Sequence, residues 1–102
     1  DEAVREADLV ITGEGRLDQQ TVFGKTPFGV AQVAKRHGKP VIAIAGSLGT
    51  HAHVVHAHGI DAIFSVLSRV GDLNAALADA EHNVRSTARN LAAVLAMGRA
   101  MA

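Results

Sequence analysis

The sequence contains no cysteine, tryptophan or tyrosine, and its only aromatic residues are three phenylalanines. Without cysteine there is neither a disulfide framework nor a thiolate metal site. The lack of cysteine mildly favours a cytoplasmic location. Apolar residues make up 48% of the sequence, so the core is expected to consist of valine, isoleucine, leucine and alanine.

Neither sign of charge is in excess, because ten basic residues face ten acidic ones. No electrostatic field therefore favours a nucleic acid or an anionic membrane as a partner. The longest apolar stretch, residues 41–45, is far shorter than the roughly 20 residues of a membrane span. The first residues do not resemble a signal peptide. A soluble protein without nucleic-acid or membrane partners is expected.

Three short apolar runs, at residues 9–12, 41–45 and 62–66, predict buried strands. Segments with helical periodicity lie between them. This alternation is typical of βαβ units around a parallel sheet, with helices and sheet in three layers. The predicted fold class is therefore α/β.

The first predicted helix covers about residues 27–37. Thr26 is its expected N-cap, Pro27 its first helical residue and Gly38 its C-terminal stop. The inner face of this helix is predicted to carry Val30, Val33 and Ala34.

Two further helices are predicted downstream. Thr50 is the expected cap of the second, which ends at Gly59, and Asp72 is the expected cap of the third. An apolar stripe predicts that the third helix continues towards the C-terminus. The stripe consists of Leu73, Leu77, Ala80, Val84, Leu91 and Leu95.

The connection after the first predicted strand is unusually long. It covers 14 residues, from Gly13 to Thr26, where such connections usually have roughly 2–6. Ligands of parallel sheets bind at the carboxyl ends of the strands, where this connection begins. Two acids, two bases, two amides and two hydroxyls lie in it among three glycines and three large apolar residues. A solvated polar loop with glycine turns is the alternative interpretation.

The residue types in this connection suit phosphoryl transfer. That reaction needs cations for phosphate oxygens, carboxylates for magnesium and a base or positioning group near the attacking hydroxyl. Lys25 meets the first need, Glu14 or Asp18 the second, and Asp18 the third. The planar guanidinium of Arg16 suits a substrate carboxylate. Spacing alone does not separate these roles.

A second glycine-rich segment, residues 46–49, follows the second predicted strand. If Thr50 caps the next helix, backbone N–H groups there suit a phosphate or carboxylate, with Gly46 and Ser47 as contacts. An ordinary tight turn is the alternative. The sequence has no P-loop motif, and the Gly13–Gly15 pair lacks the third glycine of a dinucleotide fingerprint.

Four histidines crowd one short segment: His51, His53, His56 and His58. On a helix only His53 and His56 would share a face, because they are three residues apart. We therefore expect a solvated helix surface here and not a zinc site.

Residues 12–30 closely resemble the signature of the type I glycerate kinases, and the resemblance continues through residues 41–47 and 59–65. It implies an ATP-dependent, magnesium-using kinase of small hydroxy acids, built from two α/β domains around a cleft. Family chains are several times longer than 102 residues. The chain is thus expected to be one α/β segment, residues 1–102 without an internal boundary, from the C-terminal part of such a kinase.

The resemblance also implies a site. Asp18 and Lys25 are the expected catalytic residues and Glu14 the metal ligand. The other expected contacts are Arg16, Gln20 and Thr21 for the substrate and Gly46 and Ser47 for the nucleotide. The implied cofactors are ATP and Mg²⁺, and the implied partners are glycerate, ATP and the remainder of the kinase chain. A homo-oligomer is left open, and the segment alone is expected to be inactive.

Two other functions remain open. One is a stand-alone α/β regulatory module that binds a small molecule or an anion. A receiver-like module would place acidic residues around a phospho-accepting aspartate after the first strand, where this sequence has Thr12-Gly13-Glu14-Gly15. The other is a related phosphotransferase that acts on another hydroxy acid.

Overall fold

A computed structural model of the chain describes residues 2–17, 26–49, 51–67 and 70–102. By its internal contacts the chain divides into two units, Asp1–Ser65 and Val66–Ala102. The expectation of one segment without an internal boundary remains a prediction.

The first unit contains a parallel three-stranded sheet in the order β1-β2-β3. Along the chain its elements are α1 (Glu2–Glu6), β1 (Val10–Leu17), α2 (Thr26–Arg36), β2 (Val41–Leu48), a 3₁₀ helix (Ala52–His58) and β3 (Ala62–Ser65). The predicted α/β class, with helical connections between parallel strands, is confirmed.

Two of the strands are longer than predicted. Beyond the expected end of β1, Glu14 pairs with Ala45, Arg16 with Ser47 and Leu17 with Leu48. Residues 13–17 and 46–48 therefore belong to strands and not to loops. Since Thr26 already belongs to α2, the predicted 14-residue connection is reduced to residues 18–25, which lie outside the described residues.

Helix α2 begins and ends close to the predicted positions. At its C-terminus the Lys39 N–H donates to the Ala34 carbonyl at 2.9 Å, and the Gly38 N–H donates to the Lys35 carbonyl at 3.1 Å. Gly38 has a φ of +67°. This is the Schellman arrangement that glycine favours, because a left-handed residue must follow the last turn. The predicted stop at Gly38 is confirmed.

The core lies between α2, the 3₁₀ helix and one face of the sheet. Alternate residues of β2, Val41, Ala43 and Ala45, are fully buried. From the helical elements the core receives Ala31, Ala34 and Val55, together with Ile60. The predicted inner face of α2 needs correction, because Val30 and Val33 are only half-buried. The buried residues of α2 are Ala31 and Ala34, whose small side chains leave room for the helix backbone to lie close to the sheet.

The second predicted helix is a 3₁₀ helix, Ala52–His58. His51 precedes it in the left-handed conformation, with φ 58°, and makes no side-chain cap. The predicted cap, Thr50, lies outside the described residues. The predicted end at Gly59 is confirmed, since this residue has a φ of +99° and its N–H donates to the Val55 carbonyl.

A cluster around Asp61 fastens the amino edge of the sheet. Asp61 Oδ2 accepts from Lys35 Nζ at 2.5 Å and from the Val41 N–H at 2.8 Å. The Asp61 N–H donates to the Val41 carbonyl at 2.9 Å, and Lys35 Nζ also donates to the Lys39 carbonyl at 3.1 Å. The ammonium of Lys35 and the amide of Val41 lower the pKa of Asp61. This Asp61 cluster joins α2, β2 and the start of β3.

The second unit is helical, with α3 (Leu73–Ala78) and α4 (Ala80–Met101). Asp72 caps α3 as predicted, because its side chain accepts from the Ala75 N–H at 2.8 Å. The predicted single helix is interrupted at Asp79, whose φ and ψ are −97° and 8°.

Most of the predicted apolar stripe of this unit is exposed, and only Leu91 is buried. Among the described helices, none combines the length and the apolar character that crossing a membrane requires.

Gly59 is expected to be intolerant of a side chain. A Cβ there would lie 3.2 Å from Lys35 Cγ and 3.3 Å from Ala31 Cβ, on a backbone with positive φ. Gly59→Ala should therefore lower the free energy of unfolding by about 1–3 kcal/mol. Gly29→Ala is the control, since a Cβ at this position of α2 meets nothing within 4 Å and should stabilise by roughly 0.5–1 kcal/mol. Chemical denaturation that ranks Gly59→Ala as the more stable variant would contradict this packing.

Removing the charge of Asp61 should destabilise the fold moderately. Asp61→Asn keeps the size of the side chain but takes an anionic acceptor from Lys35, at a cost of about 0.5–1.5 kcal/mol. The low end is favoured because both side chains are partly exposed. Glu81→Gln is the matched control, because its pair with Arg85 is largely solvated and should be worth less than about 0.5 kcal/mol.

The lowered pKa of Asp61 predicts that the free energy of unfolding depends on pH. The folded pKa of Asp61 lies below its ordinary value. At pH values between the folded and the unfolded pKa, the folded state therefore binds fewer protons than the unfolded state. Its contribution is complete above the unfolded pKa, about 4, and is lost as the pH falls through the folded value. Below about pH 4, unfolding measurements should show a smaller difference between wild type and Asp61→Asn than at pH 7. An equal stability difference between the two proteins at both pH values would contradict this role of the Asp61 carboxylate.

Candidate functional site at the carboxyl edge of the sheet

A row of paired residues crosses all three strands near their carboxyl ends. Glu14 of β1 pairs with Ala45 of β2, and Ala45 pairs with Ser65 of β3. Side chains alternate between the two faces of a strand, and directly paired residues share a face. Glu14 and Ser65 therefore flank Ala45 on the face that packs against the core.

Along this face, the side chains change from apolar near the amino ends of the strands to polar near their carboxyl ends. On β2 the buried positions Val41, Ala43 and Ala45 are followed two residues later by Ser47. On β1 the partly buried Val10 and the buried Thr12 precede Glu14. Glu14, Ser47 and Ser65 are all half-buried. The apolar core ends at Ala45, and a polar border of one carboxylate and two hydroxyls begins there.

Four of the predicted site residues lie in the strands at or next to this border. Glu14 belongs to it directly, Arg16 is paired with Ser47 in the strand register, and Ser47 stands near the end of β2. Gly46 also lies in β2. The register thus brings the predicted metal ligand, one predicted substrate contact and the predicted nucleotide contacts to the same edge.

The other predicted residues cannot be placed in the same way. Asp18, Gln20, Thr21 and Lys25 lie outside the described residues. Their assignment as catalytic and substrate-binding groups stays a prediction. The chain geometry adds only that they connect Leu17, at the carboxyl end of β1, to Thr26, at the start of α2.

The idea of an anion site on a capped helix after residues 46–49 needs correction. Two N–H groups at the start of the 3₁₀ helix already have partners, because Ala52 donates to the Gly49 carbonyl at 3.3 Å and Val54 to the His51 carbonyl at 3.1 Å. Residues 46–48 are strand and not loop. A role of Ser47 in binding therefore depends on its side chain at the polar border.

The four clustered histidines are exposed. The rings of His51 and His53 meet edge to face at 5.9 Å, and the ring of His58 meets Phe28 in the same way at 5.5 Å. His56 Nδ1 lies 3.0 Å from the Ile60 carbonyl. In the part of the chain that the structure describes, no three potential ligands converge on one point. That the tract binds no zinc stays a prediction.

Ser65 belongs to this border but is not among the predicted site residues. It lies within the third predicted strand, residues 62–66, and at the end of residues 59–65, which share the family resemblance. The signal lies in pairing, because Ser65 enters the site through the register of β3 with Ala45. Strand register is a tertiary property, which the local sequence does not display.

Parallel strands with helical crossovers define an α/β protein, a class whose members hold their ligands at the carboxyl ends of the strands. A model of the glycerate kinase family matches residues 1–96. The chain therefore belongs to the glycerate kinase family.

Individual relatives agree with this assignment. The chain is 54% identical to the glycerate 2-kinase of Escherichia coli K12, over 96% of the chain and 26% of the relative. It is 56% identical to the glycerate kinase of Halalkalibacterium halodurans, over 91% of the chain and 24% of the relative. A crystal structure of a Salmonella typhimurium LT2 protein, provisionally called glycerate kinase 2, matches 96% of the chain and 24% of its own length, with 54% identity and a TM-score of 0.68. The chain spans about a quarter of the length of these relatives.

Proposed function

We propose that the protein containing this segment transfers a phosphoryl group from ATP to glycerate, with Mg²⁺ as cofactor. The observation that carries the proposal is the family match over residues 1–96. It is supported by relatives that are named glycerate kinases and share 54–56% sequence identity with the chain. The polar border supports it further, because it lies at the sheet edge where parallel α/β proteins hold their ligands.

In the proposed reaction a hydroxyl oxygen of glycerate attacks the γ-phosphorus of ATP. A new oxygen–phosphorus bond forms while the bond to the β-phosphate oxygen breaks, so ADP leaves with that electron pair. Asp18 positions the hydroxyl and accepts its proton. Lys25 neutralises charge on the transferring phosphoryl group. Asp18 directly follows β1 in the sequence, and Lys25 directly precedes α2.

The remaining predicted residues bind and orient. Glu14 supplies one carboxylate at the border, which suits Mg²⁺ because this ion is usually held by one or two carboxylates together with substrate phosphates. Mg²⁺ would supply charge neutralisation on the phosphates. Arg16 holds the glycerate carboxylate, with Gln20 and Thr21 as further substrate contacts. Gly46 and Ser47 contact the nucleotide from β2.

The segment is proposed to form one wall of a two-domain cleft in a cytoplasmic enzyme, with the rest of the chain as its partner. Transition-state charge needs groups on both sides, since donors exposed to water on one side lose most of their effect. The purified 102-residue chain should therefore show no glycerate-dependent ADP release in a coupled assay, while the whole protein should turn over at roughly 1–100 per second. Turnover of that size by the segment alone would sink the two-domain proposal.

Substitutions in the 18–25 connection test the assigned roles in the whole protein. Asp18→Asn keeps size and hydrogen bonding but removes the base, so kcat should fall by roughly 10²–10⁴-fold. Lys25→Met should lower kcat/KM by a comparable order, because a cation on the transferring group acts in the transition state. Steady-state kinetics and thermal denaturation of each variant give the two readouts.

His56→Gln is the control for both substitutions, since His56 is exposed and its Nδ1 lies beside the local Ile60 carbonyl. Its kinetics should match those of the wild type. Near wild-type kcat/KM in either test variant would overturn the corresponding assignment. The same holds for a loss of activity that follows a fall in melting temperature, because the connection would then have a structural role.

A further inference from the structure

We infer that Ser65 positions an anionic oxygen of a substrate at the polar border, through its hydroxyl. The chemical group it takes is an oxyanion, either the carboxylate of the hydroxy acid or a phosphoryl oxygen of the nucleotide. The inference rests on the proposed function and extends it to a residue outside the motif of residues 12–30.

The strand register brings Ser65 to the site. Neighbouring strands are about 4.8 Å apart, so Glu14 and Ser65, one strand to either side of Ala45, are separated by roughly 10 Å at the backbone. A three-carbon acid with an adjoining phosphoryl group is of that size. Ser47, two residues beyond Ala45 on the same face of β2, lies between the two outer strands.

The position of Ser65 on its own strand gives a second argument. Ile63, two residues earlier on the same face, packs against the core, whereas Ser65 is the last residue of β3 and is half-buried. An apolar side chain there would extend the core by one residue and add burial energy. A hydroxyl gives up that gain and supplies a donor at the end of the strand where ligands bind.

The chemistry of the border divides the ligand between its two ends. Glu14 attracts a cation but repels an anionic oxygen that has no cation beside it, so such an oxygen is better placed on the β3 side of the border. Ser65 is neutral there, and its hydroxyl donates to the anionic oxygen. A hydrogen bond to a charged group is among the stronger ones in proteins. Ser65 thus provides orientation that Glu14 cannot.

The test uses the whole protein with Ser65→Ala, and with Ser65→Thr as the variant that keeps the hydroxyl. Loss of one hydrogen bond to a charged oxygen should raise one KM by roughly 10–100-fold, with kcat nearly unchanged, because the contact is present in the ground state and the transition state alike. A rise in the KM for glycerate identifies the carboxylate, and a rise in the KM for ATP identifies the phosphoryl oxygen. Ser65→Thr should remain close to wild type.

Ser86→Ala is the matched control, because Ser86 lies within α4 and is outside the border. Unchanged KM values in Ser65→Ala, or a Ser65→Thr variant as impaired as Ser65→Ala, would overturn the inference while leaving the proposed function intact. A loss that follows melting temperature would also overturn it. If the wild-type protein does not phosphorylate glycerate, the proposed function is itself wrong and the role of Ser65 falls with it.

Discussion

The parallel pairing of β2 with a strand on each side is the constraint on which the first unit depends. Val41 pairs with Val10, and Ala43 pairs with both Thr12 and Ile63. Because side chains alternate with a period of two, a slip by one residue would move the buried set of β2 to the opposite face. The same register that closes the core therefore also determines which polar side chains meet at its end.

A core with so few aromatic residues must gain its stability from close approach and not from large side chains. Ala31 and Ala34 of α2 face Ala43 and Ala45 of β2, and all four are fully buried. Small residues bring the helix backbone near the sheet, where dispersion contacts are densest. The turn at Gly59 repeats the principle, because the absence of a side chain there lets the chain pass against Ala31.

Local sequence was sufficient for the element types and for the end of α2, because capping and glycine stops act within a few residues. It was insufficient for the ends of β1 and β2. Glycines at positions 13, 15 and 46 indicate turns by propensity, yet pairing across 31 positions keeps the segments extended. Tertiary pairing overrides a weak local preference. The pair of Lys35 with Asp61, 26 residues apart, could not be predicted from local sequence for the same reason.

The two edges of the sheet use polar groups in opposite ways. At the amino edge Asp61 has its partners within the protein, Lys35 and the Val41 amide, and it joins three elements there. At the carboxyl edge Glu14, Ser47 and Ser65 stand on separate strands around a buried alanine. The Asp61 cluster contributes to folding, whereas polar side chains at the carboxyl ends of parallel strands lie where such proteins hold their ligands. Both sets of polar groups are connected through β2, so the group that stabilises the fold and the groups proposed to bind a ligand lie at opposite ends of one strand.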